Sequence, residues 1–552
     1  MKSMKKLVTL LLSLVMLCAL AMPAMAEGEG AAKTYSITIN GAVAGHTYTA
    51  YQVFSGVYYK GDRQTDTSKD KDKEYLSDVE WGKDVDGTAI VKELKATTTL
   101  KKLRDKFDTV NADDTDAAKK VAYILQGLGD NSEELDEFAR VVGHNLKKDT
   151  EPSSVTVATG DNTKTAKIEN LAAGYYFVKD AGDINAGEIA TKFLVEVVGN
   201  ANVTVKATAP TIKKEIVKKD GSTVNGTSAN VGDEITFKLT ANVPDMANFD
   251  KYTFTISDTL SKGLTFDENS VEVKIGETTL ESTKYKLTPP TNPDTDNTFK
   301  IDFTKEKFGD NVKHNTGAEI VVTYKATLNS NALITDKETN TAKLTYSNNP
   351  DGMGTGTTPD APVYIYDFDI DIDKYDDTDN KDKDNANKDK SKKLAGAEFI
   401  LYKEVVETSG TVRYYYQCND NTKKVEWVTE KKKATPQTTA ADGKASFQGI
   451  AAGSYFLKET KAPDGYNKLK DPVKVEITAE YDDADGKLKK TYATHTGEGQ
   501  YIQTVEVPNK AGAVLPSTGG IGTTIFYVLG SILALGAAVL LIAKKRMNGQ
   551  DR

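Results

Sequence analysis

Residues 364–374 read Tyr-Ile-Tyr-Asp-Phe-Asp-Ile-Asp-Ile-Asp-Lys. Successive side chains of a β-strand point to opposite faces, so Tyr364, Tyr366, Phe368, Ile370 and Ile372 share one face, and Asp367, Asp369, Asp371 and Asp373 share the other. The alternation predicts a half-buried strand and sets Lys374 on its apolar side, pointing inward. The same parity recurs downstream, where Val505 and Val507 share a face with Asn509, and Tyr455 and Leu457 share one with Glu459. One lysine, one asparagine and one acid thus fall on apolar faces of three strands. A second set lies upstream: Lys214 with Ile212 and Ile216, Asn340 with Ala342, Leu344 and Tyr346, and Asp258 with Tyr252, Phe254 and Ile256. A lone lysine can snorkel from a strand end and a lone asparagine can cap a turn. Two complete sets argue against coincidence.

The chemistry that uses such a triad is an intramolecular amide. A lysine amine in an apolar core sheds its proton because burial disfavours the charge, and it becomes a nucleophile. A carboxyl in the same core is driven toward its protonated form and can stabilise the oxyanion that develops on the asparagine carboxamide. Attack on the carboxamide carbon expels ammonia, and no cofactor is required.

Outward from these strands the pattern is all-β. From Pro210 to about Pro362, strands such as Ile235 to Leu239, Tyr252 to Ile256, Ile320 to Tyr324 and Leu344 to Tyr346 alternate cleanly, which predicts a β-sandwich over 207–362. A second sandwich is expected over 363–511. Residues 27–206 open with Tyr35, Ile37 and Ile39 in alternation and close on Tyr175 to Val178 and Phe193 to Val197, while 97–107, 115–127 and 132–144 have helical spacing. That stretch reads as a β domain with a helical insertion. The chain has 552 residues and a formal charge of -9, enough length for three or four domains and no clustered Lys and Arg for nucleic acid. The acidic loop 376–393 lacks the glycine and terminal glutamate of an EF-hand and reads as a solvated charged loop.

Both ends carry targeting signals. Lys2, Lys5 and Lys6 precede an apolar run from Leu7 to Met22, and Ala24-Met25-Ala26 supplies small residues for cleavage, so 1–26 reads as a signal peptide. Ile521 to Ala543 is an uncharged apolar stretch long enough to cross a bilayer, and the tail 544–552 opens with Lys544, Lys545 and Arg546, which hold it on the cytoplasmic side. Cys18 falls in the signal peptide, leaving Cys418 alone in the exported part, so disulfides cannot staple this chain internally. The four histidines (His46, His144, His314, His495) show no metal spacing, and no Ser/His/Asp or Cys/His constellation is visible, which argues against an enzyme.

Leu515-Pro516-Ser517-Thr518-Gly519, directly before the apolar span and basic tail, resembles the LPXTG sorting signal of Gram-positive surface proteins. That resemblance implies that a sortase attacks the Thr518 carbonyl, releases Gly519 onward and passes the acyl group to an amine. Leu394 to Phe399 and Tyr455 to Tyr466 (YFLKETKAPDGY) resemble the CnaB domains of Gram-positive pilins, the second being their E-box. Pro210 to Lys214 and Asn340 to Pro350 resemble the isopeptide-forming second domain of fimbrial backbone subunits. The resemblance covers almost the whole exported chain. It implies bonds from Lys214 to Asn340 assisted by Asp258, and from Lys374 to Asn509 assisted by Glu459, each joining a first strand to a last strand. It implies a cell-wall-anchored pilus whose partners are sortase, identical subunits joined head to tail, minor pilins and peptidoglycan. Residues 175–180 resemble an E-box with Asp180 in the acid position, but no lysine and asparagine partner it in the sequence, and no internal bond is expected there. For the acceptor amine, Val203 and Val205 face inward, so Lys206 faces out and is the expected residue, with Lys213 and Lys192 as competitors. A monomeric wall-anchored adhesin is the other reading of the same signals.

Overall fold

The computed structural model describes residues 33–60, 74–97, 101–128, 132–158, 160, 163–180, 184, 188–205, 209–244, 246, 249, 252–303, 316–350, 354–380, 388–491, 493–495, 501–512 and 521–547. The expected signal peptide 1–26, Lys206, His314 and the sorting residues 515–519 lie outside them.

In the first unit, strand Tyr35–Asn40 pairs antiparallel with Thr165–Leu171 and parallel with Ala201–Thr204. A second sheet runs Glu74–Trp81, Thr47–Lys60, Gly174–Asp180, Lys192–Val197, with Ser153–Thr156 also on Thr47–Lys60. Among the described residues the insertion holds four helices, Gly87–Ala96, Lys101–Phe107, Ala117–Gln126 and Glu133–His144. They bury Leu94, Phe107, Leu125 and Phe138 against Phe54, Tyr175 and Phe177 of the sheet. The first helix was not expected. Its N-cap, Asp86, accepts from the Ala89 N–H at 3.0 Å, and Ile90, Val91 and Leu94 form its buried stripe. Gly87 at its start weakens the propensity signal there.

The second unit is a sandwich of two six-strand paths. One runs Thr223–Val224, Ile212–Val217, Glu234–Asn242, Glu319–Leu328, Leu264–Ile275, Thr278–Thr279. The other runs Gly226–Ser228, Ala361–Tyr366, Glu338–Ser347, Phe254–Leu260, Thr298–Asp302, Lys286–Thr288. The third unit sets Lys444–Ile450, Phe368–Asp376, Tyr501–Asn509 and Thr494–His495 in one sheet, and Val425–Val428, Gly410–Cys418, Glu398–Glu407, Gly453–Lys461 and Val473–Ile477 in the other.

Two expectations change here. The strand read as unbroken from Tyr364 to Lys374 is two strands, Ala361–Tyr366 and Phe368–Asp376, which pair into different sandwiches. Val363 and Ile365 are fully buried, and beyond Asp367 it is Phe368, Ile370 and Ile372 that are fully buried, while Tyr366, Asp367 and Asp369, the aspartates against expectation, are buried as well. The single-residue break reverses parity, so each half buries its own alternate set. As a consequence, strand Glu338–Ser347, which carries Asn340, is not the last strand of its sandwich. Ala361–Tyr366 follows it in the same sheet. The two sandwiches are also stitched together: the Val231 N–H donates to Gly449 O at 2.9 Å, and Asn230 Oδ1 accepts from Trp427 Nε1 at 3.2 Å.

The C-terminal helix Ile521–Met547 contains an exposed apolar stretch, Phe526–Lys544. At about 1.5 Å per residue it is long enough to cross a hydrocarbon core of about 30 Å.

Candidate cross-linking site

In the second unit, Lys214 and Tyr324 reach into the core from one sheet, and Asp258 and Asn340 from the other. Register fixes this, because Lys214 lies opposite Leu239, Tyr324 opposite Phe237, and Asn340 opposite Leu260 two positions along from Asp258. All four are buried. Lys214 Nζ is in hydrogen-bond contact with Asp258 Oδ2 and donates to Tyr324 Oη at 2.8 Å. Asn340 Nδ2 donates to the same Tyr324 oxygen at 2.6 Å, and Tyr324 Oη donates to Asp258 Oδ2 at 2.9 Å. Asp258 Oδ1 and Asn340 Oδ1 are buried without a partner. The Phe237 and Tyr324 rings flank the amine, with centroids 5.1 and 5.2 Å from Nζ. Burial pushes the Lys214 amine down to about 8 even with the Asp258 carboxylate opposing the shift. The same burial raises the Tyr324 phenol well above its ordinary value.

In the third unit, Phe368–Asp376 and Tyr501–Asn509 are parallel neighbours, with Lys374 opposite Val507 and Asp376 opposite Asn509. Lys374 Nζ donates to Asn509 Oδ1 at 2.5 Å and to Val507 O at 3.0 Å. Glu459 comes from the facing sheet. Its Oε1 lies 3.6 Å from Lys374 Nζ and accepts from Asn509 Nδ2 at 3.1 Å. The Leu469 N–H donates to Glu459 Oε2 at 2.6 Å and holds the carboxyl in place. Here too burial brings the amine down to about 8. A desolvated amine beside a carboxamide, with a carboxyl reaching both, is an arrangement equipped for amide exchange.

The six residues singled out in the sequence therefore lie in two buried clusters, one per sandwich. Tyr324 was missed as a member of the first. Its parity with Ile320 and Val322 marked it as inward, but nothing in the sequence said that its hydroxyl would meet the triad. In the first unit Asp180 meets a histidine: its Oδ2 is 2.7 Å from His46 Nδ1, and Glu188 Oε2 is 3.2 Å from Nε2. Of the competing acceptor lysines, Lys192 is buried at 6% exposure. Lys213 is exposed, its Nζ 2.7 Å from Glu215 Oε1. Among the described residues no group of three His, Cys, Asp or Glu side chains is arranged to hold a metal ion.

The described residues thus form β-sandwiches with lysine–carboxyl–carboxamide clusters in their cores, ahead of an exposed apolar helix. Residues 231–350 match the Cna-B-like domain of Gram-positive pilin backbone subunit 2, residues 379–492 the SpaA prealbumin-like fold domain, and residues 507–549 the LPXTG cell wall anchor motif. By these matches the chain is of the sortase-assembled backbone pilin class, anchored at the cell wall. It is 27% identical over 382 residues to "Fimbrial subunit type 1" of Actinomyces viscosus, covering 63% of this chain and 66% of that protein. It is 24% identical over 418 residues to "Trypsin-resistant surface T6 protein" of Streptococcus pyogenes, covering 62% of this chain and 70% of that one. Among solved structures, the full-length major pilin SpaD of Corynebacterium diphtheriae aligns with 87% of this chain and 98% of its own at 19% identity and a TM-score of 0.46.

Proposed function

We propose that the chain is the repeating shaft subunit of a covalent pilus on a Gram-positive cell surface. A sortase cleaves after Thr518 and joins its carbonyl to an exposed lysine of the next subunit, for which Lys206 is our assignment, and the last subunit passes to peptidoglycan. A head-to-tail contact of this kind does not close, so it yields a fibre. Within each subunit Lys214 condenses with Asn340, and Lys374 with Asn509, each with loss of ammonia. Asp258 and Glu459 carry the protons. The shaft then serves adhesion as a load-bearing stalk.

The observation that carries this reading is the double occurrence of a buried, depressed lysine amine clustered in a sandwich core with a carboxyl and a carboxamide. In the third unit Glu459 contacts both the amine and the carboxamide nitrogen that must leave. In the second, Tyr324 Oη contacts the amine, the carboxyl and the carboxamide nitrogen together. Intact-mass spectrometry of residues 27–514 tests the internal bonds: a deficit of two ammonia molecules is expected, and an unshifted mass refutes them. Blotting of wall extracts tests the polymer, since a high-mass ladder is expected of a shaft subunit and a single band of a monomeric adhesin.

A further inference from the structure

The two clusters route protons differently. In the third unit one carboxyl spans the reaction, because Glu459 reaches both Lys374 Nζ and Asn509 Nδ2. In the second unit no hydrogen bond joins Asp258 to Asn340, and among the described residues the carboxyl hydrogen-bonds the amine and Tyr324. Tyr324 Oη is the atom common to all three partners. It accepts from Lys214 Nζ at 2.8 Å and from Asn340 Nδ2 at 2.6 Å, and donates to Asp258 at 2.9 Å. A phenol hydroxyl has one donor and two acceptor sites, and here each is in use.

Resting on the proposed Lys214–Asn340 bond, we propose that Tyr324 is a further catalytic residue of that condensation, its hydroxyl relaying a proton from Asp258 to the departing Asn340 nitrogen. Lys214 begins as an ammonium and Asp258 as a carboxylate. Nζ gives a proton to Asp258, and the neutral amine attacks Asn340 Cγ, forming the Nζ–Cγ bond. Tyr324 passes its proton to Nδ2 and takes one from Asp258. The Cγ–Nδ2 bond breaks, ammonia leaves, and Asp258 accepts the second proton of the new amide nitrogen. The products are an amide, ammonia and a protonated Asp258, with Tyr324 as it began.

The surroundings suit the role. Tyr324 is also held by ring contacts that do not involve its hydroxyl: Phe237 stacks on it at 5.3 Å, and Phe299 and Phe266 pack edge-on at 4.8 and 5.6 Å. Tyr324→Phe therefore removes the relay and keeps the packing.

The test uses the full chain extracted in detergent, digested, and its two cross-linked peptide pairs quantified over time. Loss of a positioned proton carrier slows a reaction by a factor of about 100 or more. In Tyr324→Phe we expect the Lys214–Asn340 pair to form at least that much more slowly while the Lys374–Asn509 pair is complete, with hydrogen exchange of strands Ile212–Val217 and Glu338–Ser347 matching that of Asn340→Ala, which lacks the same bond. Formation at the wild-type rate overturns the relay, and so does loss of the link together with protection in those strands below that of Asn340→Ala. Phe299→Leu removes a packed ring and leaves the hydroxyl. It should retain the link, and a failure matching that of Tyr324→Phe would reduce Tyr324 to packing. A wild-type chain with neither pair would overturn the parent reading of both sandwiches, a result distinct from any of these.

Discussion

Replacing Glu459 by Gln separates proton transfer from architecture in the third unit. The amide oxygen of Gln can still accept from the Leu469 N–H, which Glu459 now does at 2.6 Å, so local geometry is kept while the proton carrier is lost. The expected outcome is a chain lacking only the Lys374–Asn509 bond. Those residues are 135 apart in sequence. By the chain-entropy argument, a cross-link closing a loop of that size is worth about 5 kcal/mol, which for a unit of this size lowers the melting temperature by about 10–20 °C when removed. Extension gives a second magnitude. With the bond intact, load entering at Phe368 leaves at Asn509 through the amide, and the intervening residues are never stretched. Without it they unravel at about 3.4 Å per residue, roughly 450 Å of new contour. Pulling single chains by their two ends should show one additional event of that length in Glu459→Gln and none in the parent. A parent chain that extends by the same amount, or a variant that lacks the bond yet neither melts earlier nor lengthens, would refute the reasoning.

Two further outcomes follow from the titrating groups. In Asn340→Ala the Lys214 amine stays free, with a folded value of about 8 against about 10.5 unfolded. The unfolded chain then binds more protons between those values, so stability should rise by about 3 kcal/mol from pH 8 to 10.5. The cross-linked parent has no such amine and should lack the rise in parallel melting curves. For His46 the sign is opposite. Burial opposes its charge, but Asp180 and Glu188 on its two nitrogens more than offset this and raise it above 6.5. Its contribution is complete below pH 6.5 and is lost as pH climbs through the raised value, so the first unit should melt earlier at pH 8 than at pH 6, and His46→Gln should flatten that difference in calorimetry.

Period-two alternation was enough to place the sandwiches and the six triad residues, because a strand with one buried face fixes every side chain by parity. It failed where parity changed. The run from Tyr364 to Lys374 looks continuous in one dimension, and only the pairing of Ile365 with Glu338 and of Phe368 with Ile450 reveals the switch at Asp367. Helix Gly87–Ala96 was hidden by its opening glycine. Tyr324 and the His46–Asp180–Glu188 cluster escaped for another reason. Each depends on side chains meeting across more than a hundred residues of chain, or across two sheets, and nothing local encodes such a meeting.

The topology also gives the two proposed bonds unequal mechanical roles. Lys374 and Asn509 sit on the first and last strands of their sandwich, adjacent and parallel. Load there would otherwise shear one ladder, and an amide beside it carries the load directly. Lys214 and Asn340 instead join opposite sheets, and the chain continues past Asn340 through the rest of Glu338–Ser347 and on to Ala361–Tyr366 before leaving the sandwich. That returning segment stays in the line of force, secured by antiparallel pairing from Glu338↔Ile365 to Ala342↔Ala361 and by its parallel neighbour Gly226–Ser228. The stitching of the second sandwich to the third lies at this outlet: Ser228 Oγ accepts from the Ala452 N–H at 3.0 Å, and Tyr366 Oη accepts from the Leu488 N–H at 2.9 Å. The third unit thus braces the outlet stretch of the second that its proposed cross-link leaves exposed to tension, which gives the close inter-sandwich joint a mechanical reason.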